Sequence, residues 1–331
     1  MNKPKVIVIC GPTASGKTTL SIQLAQKING EIISSDSMQI YKDMNIGTAK
    51  PDQQEMQGIK HYLLDFVEPN QRYSVADYKK DAENAIEDIL QKGKVPIIVG
   101  GTGLYVDSLI YGIEYPNIEF DENYRKELER RVEKEGLEKL YEKAKKIDPQ
   151  AMKKISRNDQ KRILRVLEIY NATGKTKTEQ EIESRKNEVK YDYRVFAINM
   201  DREKLYDRIN KRVDIMVENG LVDEVNSLKE SFTTSKALKT AIGYKEFIPY
   251  FKKEITFDEV IDKIKQNSRH YAKRQYTFFN NQLNVTWYHS DFNNFDNTID
   301  NVIENLEKRN NNEKNWYWSY ILSTSSKINT G

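Results

Sequence analysis

Residues Gly11-Pro12-Thr13-Ala14-Ser15-Gly16-Lys17-Thr18 spell a complete phosphate-binding loop, preceded by the apolar run Val6-Ile7-Val8-Ile9-Cys10 and followed by a helical pattern. A strand, a glycine-rich turn and a helix in that order commit the chain to an α/β arrangement in which successive backbone N–H groups turn inward around a di- or triphosphate. In such a loop Lys17 reaches the terminal phosphate and the Thr18 hydroxyl ligates Mg²⁺. Gly11 and Gly16 open the backbone to the ligand, and Pro12, Thr13, Ala14 and Ser15 complete the cradle. A ring of amides reads only phosphates, so the loop does not distinguish a nucleotide from another diphosphate.

Further β-branched runs at 31–34, 95–99, 194–199 and 284–288 alternate with longer helical patterns. That alternation predicts a parallel sheet with helices on both faces, a phosphate-loop NTPase or kinase-like α/β fold. Between about Tyr115 and Tyr191 no strand-like run occurs, and apolar residues recur at helical spacing, as in Leu128/Val132 and Ile163/Leu164/Leu167. The expected organisation is a core of residues 1–115 and 191–310, an all-helical insertion over 116–190 with turns at Pro116, Pro149 and Gly174, and a tail from 311 to 331 without a clear period.

The 331 residues are 38% hydrophobic and 31% charged, the balance of an ordinary soluble globular chain. The N-terminal apolar run of five residues is too short for a signal-peptide core, and no membrane span is expected; the chain reads as cytoplasmic and monomeric. A single cysteine, Cys10, excludes an intrachain disulfide, and three histidines leave little scope for a zinc centre. Net charge is only +3, but residues 121–190 hold 20 lysines and arginines against 15 acids. The surplus is densest from Lys153 to Arg165, where six positive charges face one acid, and a second run without acids, Lys263 to Asn280, interleaves basic and aromatic residues. Positive charge mixed with amide or aromatic side chains suits phosphate contacts and base stacking; solvated helix faces are the plainer alternative.

In an open α/β sheet ligands sit at the carboxyl ends of strands, so Asp36 in Ser35-Asp36-Ser37-Met38-Gln39, Thr102 in Gly100-Gly101-Thr102-Gly103, and the phosphate loop should share one crevice. Asp36 has three readings: holding Mg²⁺ through water, acting as general base on a nucleophile, or capping a helix that begins near Ser37. The strand 95–99 ends in Gly-Gly, where a motor ATPase carries an acidic metal residue, and no guanine-reading Asn-Lys-x-Asp follows. A group-transfer enzyme remains.

Taken together, Gly11–Thr18, Asp36–Tyr41, Asn45–Pro51, Tyr73–Ala76, Gly100–Tyr105, Ile242–Glu246 and Ala272–Gln275 resemble the tRNA dimethylallyltransferase family, also called tRNA isopentenyltransferases, in order from residue 6 to about 290. The sequence departs from the family pattern at Lys60-His61, Ser156-Arg157 and Phe278, where the family usually has a paired histidine, His-Pro and Trp.

The resemblance implies transfer of a dimethylallyl group from dimethylallyl diphosphate to N6 of adenosine 37 in tRNAs that read codons beginning with U, with diphosphate as leaving group. By the same resemblance Lys17 and the loop amides neutralise the leaving group, with Thr18 on Mg²⁺ and either Arg208 or Arg212 on the diphosphate. Asp36 is then the general base and Thr102 orients the amine or a phosphate oxygen. Ser37, Met38 and Gln39 contact the base, while Gln160, Lys161, Arg162, Ile163, Leu164 and Arg165, with Arg125 beside them, clamp the anticodon stem-loop. Rival readings are a phosphate-loop nucleotide or small-molecule kinase, a prenyltransferase acting on free adenine nucleotides, and a non-catalytic RNA-binding protein that uses nucleotide as a switch.

Overall fold

The computed structural model describes residues 3–115, 121–186, 188–289 and 294–307, so the tail from 311 and the turn expected at Pro116 lie outside the described residues. Six parallel strands, β1 (Lys5–Cys10), β2 (Gly30–Ser34), β3 (His61–Tyr62), β4 (Val95–Gly100), β5 (Asp192–Asn199) and β6 (Thr286–His289), form one sheet in the order β3-β2-β4-β1-β5-β6. Central β1 alternates its side chains between two buried layers. Val6, Val8 and Cys10 join one core, and Ile7 and Ile9 the other.

The helices before the insertion are α1 (Lys17–Ile28), α2 (Gln53–Met56), α3 (Val75–Gln91) and α4 (Gly103–Ile110). Leu20, Ile22 and Leu24 of α1 pack on the Ile7/Ile9 face, whereas Tyr78 and Ile86 of α3 and Tyr105, Val106 and Leu109 of α4 pack on the Val6/Val8 face. The helices that follow the neighbouring strands β1 and β4 therefore leave to opposite faces. That divergence opens a crevice at the strands' carboxyl ends, the place where open α/β sheets bind ligands.

The segment without strand signals is helical throughout its described part: α5 (Glu122–Glu135), α6 (Leu137–Ile147), α7 (Pro149–Met152), α8 (Gln160–Thr173) and α9 (Lys177–Ser184). It has its own core of Leu128, Leu140, Tyr141, Ala144, Met152 and four apolar residues of α8. Buried Asp148 ties it together by accepting from Ala151 N (2.9 Å), Thr178 N (2.9 Å) and Thr178 Oγ1 (2.6 Å).

A second helical body arises inside what the sequence presents as plain core. It comprises α10 (Arg202–Glu218), α11 (Leu221–Ser227), α12 (Lys236–Thr240), α13 (Phe247–Phe251) and the first half of α14 (Phe257–Gln282), and it closes around Ile40, Tyr41, Met44 and Val67 from the β2–α3 region. The last described helix, α15 (Asp296–Glu307), returns to the α1 face. Both α3 and α14 begin with capping boxes, Ser74 with Asp77 and Thr256 with Glu259, which satisfy the orphan N–H groups of their first turns.

Candidate active site

The phosphate loop leaves β1 and enters α1 through Gly16, whose φ of 88° lies where only glycine rests without strain. Lys17 folds back so that Nζ donates to Pro12 O at 2.6 Å, and Ser15 N donates to the same carbonyl at 3.3 Å. Burial, and after it the positive charge of Arg212, lowers the Lys17 ammonium to about 8, with Asp36 opposing that shift. Thr18 is exposed at the mouth, whereas Ser15 is fully buried and its hydroxyl has no hydrogen-bond partner. Cys10 is a core residue: its thiol donates to Phe196 O (3.4 Å), and burial raises it to about 12.

Both candidate arginines of α10 reach the loop. Arg208 Nε donates to Ala14 O (3.0 Å), and Arg212 donates to Thr13 Oγ1 (3.0 Å) and to Ala49 O (3.4 Å). Burial lowers the pKa of each, and the Asp36 carboxylate opposes that for Arg212.

No helix begins at Ser37. Residues 37–40 form a turn, and Asp36 Oδ1 accepts from Met38 N (2.9 Å) and Gln39 N (3.4 Å), so the capping reading is corrected to an Asx turn. Ser37 N donates to Thr102 Oγ1 at 3.0 Å, which joins the Asp36 turn to the start of α4. The charge of Asp36 acts on Lys17, Arg212, Tyr105 and Tyr271. Phosphate loop, aspartate and threonine thus share the crevice between β1, β2 and β4, as the sequence implies.

The Gln39 amide is occupied structurally, donating to Thr48 O (3.3 Å) and Ala49 O (3.0 Å), and Met38 packs against the second helical body. The 45–50 loop that receives Gln39 is hung from Glu224, whose carboxylate accepts from Asn45 N (2.9 Å), Ile46 N (2.7 Å), Gly47 N (2.9 Å) and Tyr244 Oη (2.6 Å). A Cβ on Gly47 would lie 2.5 Å from the Tyr244 ring, so glycine there is what lets Asn-Ile-Gly-Thr and Ile-Gly-Tyr, two distant segments, pack together.

On the insertion the expected clamp divides. Gln160, Lys161 and Arg162 are exposed on the first turn of α8, and Arg162 has a side chain 70% exposed. Ile163 and Leu164 are both 0% exposed inside the insertion's core, so the expectation that they contact RNA is corrected: their side chains are structural. Arg125 and Arg165 both face buried Glu168, Arg125 at 3.0 Å and Arg165 at 3.7 Å. Burial lowers the Arg165 pKa against the opposing charge of Glu168, and the charge of Arg72, from the loop after β3, adds to the lowering. Of the departures from family pattern, His61 lies in β3 with Nδ1 2.9 Å from Ile59 O, and Phe278 presses its ring on Gly103.

Sequence reasoning passed over Gln275 and Tyr271 on α14 as site residues. Gln275 Oε1 accepts from Thr13 N (2.8 Å), Nε2 donates to Gly101 O (2.9 Å), and the Tyr271 hydroxyl lies beside Thr102 and Gln275. The available signals were their place in an acid-free run and, for Gln275, the Ala272–Gln275 segment that resembles the family.

Fold and site together define a phosphate-loop group-transfer enzyme with an aspartate poised beside its cradle. Residues 39–282 match the IPP transferase family. A tRNA dimethylallyltransferase of Acetivibrio thermocellus is 50% identical over 303 residues, 91% of this chain and 96% of that protein. One from Anoxybacillus flavithermus is 47% identical over 300 residues, 91% and 93% of the two chains. Among solved structures, a tRNA delta(2)-isopentenylpyrophosphate transferase from Staphylococcus epidermidis aligns with a TM-score of 0.68 and 44% identity over 93% of this chain and 100% of the other. A eukaryotic dimethylallyltransferase acting on tRNA aligns with a TM-score of 0.72 and 34% identity, covering 88% and 76%. The chain belongs to the tRNA dimethylallyltransferase family.

Proposed function

We propose that this enzyme transfers the dimethylallyl group of dimethylallyl diphosphate to N6 of adenosine 37 in tRNAs reading codons that begin with U, giving N6-isopentenyladenosine and diphosphate. The observation that carries the proposal is the meeting of Asp36 and Thr102 with Lys17, Arg208 and Arg212 at one crevice: a proton acceptor on one side and a diphosphate cradle on the other.

The bond from the allylic carbon to the diphosphate oxygen breaks while the bond from that carbon to N6 forms. Lys17, the loop amides and the two arginines neutralise charge growing on the departing oxygens, as preorganised donors do. The free hydroxyl of Ser15 is a donor that the same oxygens would satisfy. Adenine N6 is a weak nucleophile because its lone pair is drawn into the ring, so its proton must leave as the bond forms; Asp36 takes it. The Asp36 turn fixes one carboxylate oxygen on Met38 N and Gln39 N and so orients the other. The N6 amine is reached by extruding the base from a loop that is already largely unpaired.

The exposed Thr18 hydroxyl, at the start of α1 beside the diphosphate cradle, is the side chain that would hold Mg²⁺. When bound, the ion would offset the diphosphate's charge. The expected partners are dimethylallyl diphosphate and the anticodon stem-loop, gripped by Gln160, Lys161 and Arg162. The expected state is a monomer in the cytoplasm; among the described residues no helix is long and apolar enough to cross a membrane.

The test incubates the protein with Mg²⁺, labelled dimethylallyl diphosphate and an unmodified anticodon stem-loop, with AMP and ATP as parallel acceptors. Label in the RNA alone is the expected result; label in free nucleotide, or ATP-dependent phosphorylation, overturns it. Asp36→Asn keeps an acceptor for the Asx turn, so it should leave both KM values near wild type and lower kcat by about 10²–10⁴-fold.

A further inference from the structure

Gln275 spends both ends of its amide on two loops that belong to different halves of the crevice. It is 5% exposed on α14, one side of it accepting from Thr13 N in the phosphate loop and the other donating to Gly101 O in the turn before α4. Glutamate would lose the donor, and asparagine is shorter by one methylene. A Cβ at position 101 would lie 2.0 Å from Gln275 Nε2, so glycine there is what lets the amide come close.

The consequence follows from peptide planarity. In a trans peptide the N–H and C=O point in opposite directions. With Thr13 N–H fixed toward α14, the carbonyl of the same peptide, Pro12 O, is aimed away from α14, and there it receives the Lys17 ammonium (2.6 Å) and Ser15 N (3.3 Å). Gln275 therefore sets the carbonyl on which Lys17 rests. Its other end fixes the residue before Thr102, whose hydroxyl accepts from Ser37 N beside Asp36. One turn earlier on the same helix, Tyr271 lies beside Thr102 and within reach of the Asp36 charge.

We propose that Gln275 is a positioning residue that aims the Pro12–Thr13 peptide of the diphosphate cradle and locks it to the Gly101–Thr102 turn, so that the leaving-group side and the adenine side keep one geometry. The adenine half rests on the function proposed above, whereas the cradle half is tested with inorganic diphosphate alone. Wild type that binds Mg²⁺-diphosphate but transfers no prenyl group would sink the functional reading and leave this inference standing.

The experiment compares wild type with Gln275→Met, which keeps the side chain's bulk and loses both hydrogen bonds, with Gly101→Ala, which pushes the amide away from the opposite side, and with the double variant. Titration calorimetry with inorganic diphosphate and Mg²⁺ gives the cradle affinity, stem-loop transfer gives kcat and KM, and thermal unfolding tracks the fold. Each single variant should weaken diphosphate by about tenfold and lower kcat while the stem-loop KM holds, a split that loss of stability alone does not produce. The double variant should be no worse than the weaker single variant, because both break one contact. Diphosphate affinity within twofold of wild type in Gln275→Met, or fully additive losses in the double variant, overturns the proposal.

Discussion

Burial and the adjacent Arg212 lower the Lys17 ammonium to about 8, while the unfolded chain titrates near 10.5. Between those values the unfolded state binds more protons, so stability rises with pH through that window, and below it the cost of the buried charge is fully present. Bound diphosphate returns a negative partner and should lift the lysine back. Calorimetry at about pH 8.5 in buffers of different ionisation enthalpy should therefore register proton uptake on binding Mg²⁺-diphosphate, and Lys17→Met should abolish it. Asp107 presents the opposite sign. It is 7% exposed, one of its carboxylate oxygens has no hydrogen-bond partner, and its nearest cation, Arg185, is 3.9 Å away. Desolvation raises it from 3.8 to about 6 against the pull of Arg185. Stability falls as pH rises through that window, because the unfolded chain ionises first, and the loss persists at neutral pH. Asp107→Asn should add roughly 1–3 kcal/mol at pH 7 and flatten the thermal-unfolding profile between the two values.

At the level of elements, α8 divides its labour along one turn. Lys161 and Arg162 face solvent, and Ile163 and Leu164 fill the insertion's core. Lys161→Glu with Arg162→Glu should weaken stem-loop binding by at least tenfold, reduce the slope of log K against log salt by about two, and leave diphosphate affinity unchanged. Arg125→Ala should act differently, lowering thermal stability because it strips the 3.0 Å partner from buried Glu168. The same turn shows what the sequence displayed and what it hid. Composition marks a basic stretch, but only the helical phase of residues 160–165 separates the arginine that meets solvent from the leucine that does not. Strands β1, β2, β4 and β5 were legible because their β-branched runs span whole buried layers. The two residues of β3 carry no period, and the Asp36 turn imitates a helix start because Asp and Ser favour both. Gln275 stood in a segment that resembles the family, but its role was illegible for a simpler reason: an amide on a helix gains meaning only from the two loops it touches.

Across the whole molecule three packed parts serve three tasks. The sheet's two layers hold the loops at their carboxyl ends, the 202–282 helices roof the crevice through Glu224, Arg212 and Gln275, and the insertion presents a basic turn. Hydrogen exchange should resolve them. Mg²⁺-diphosphate should slow exchange over 11–18 together with 101–103 and 271–275, whereas the stem-loop should slow it over 157–165.

The central strand carries a consequence for how the chain is made. β1 lies between β4 and β5, so its neighbours emerge from the ribosome roughly 90 and 190 residues after it, and the glutamine that braces its loop comes later still. The phosphate loop is made before the elements that complete it. Through most of translation the nascent chain carries a phosphate loop without its brace, and that brace is added only once α14 has left the tunnel and docked.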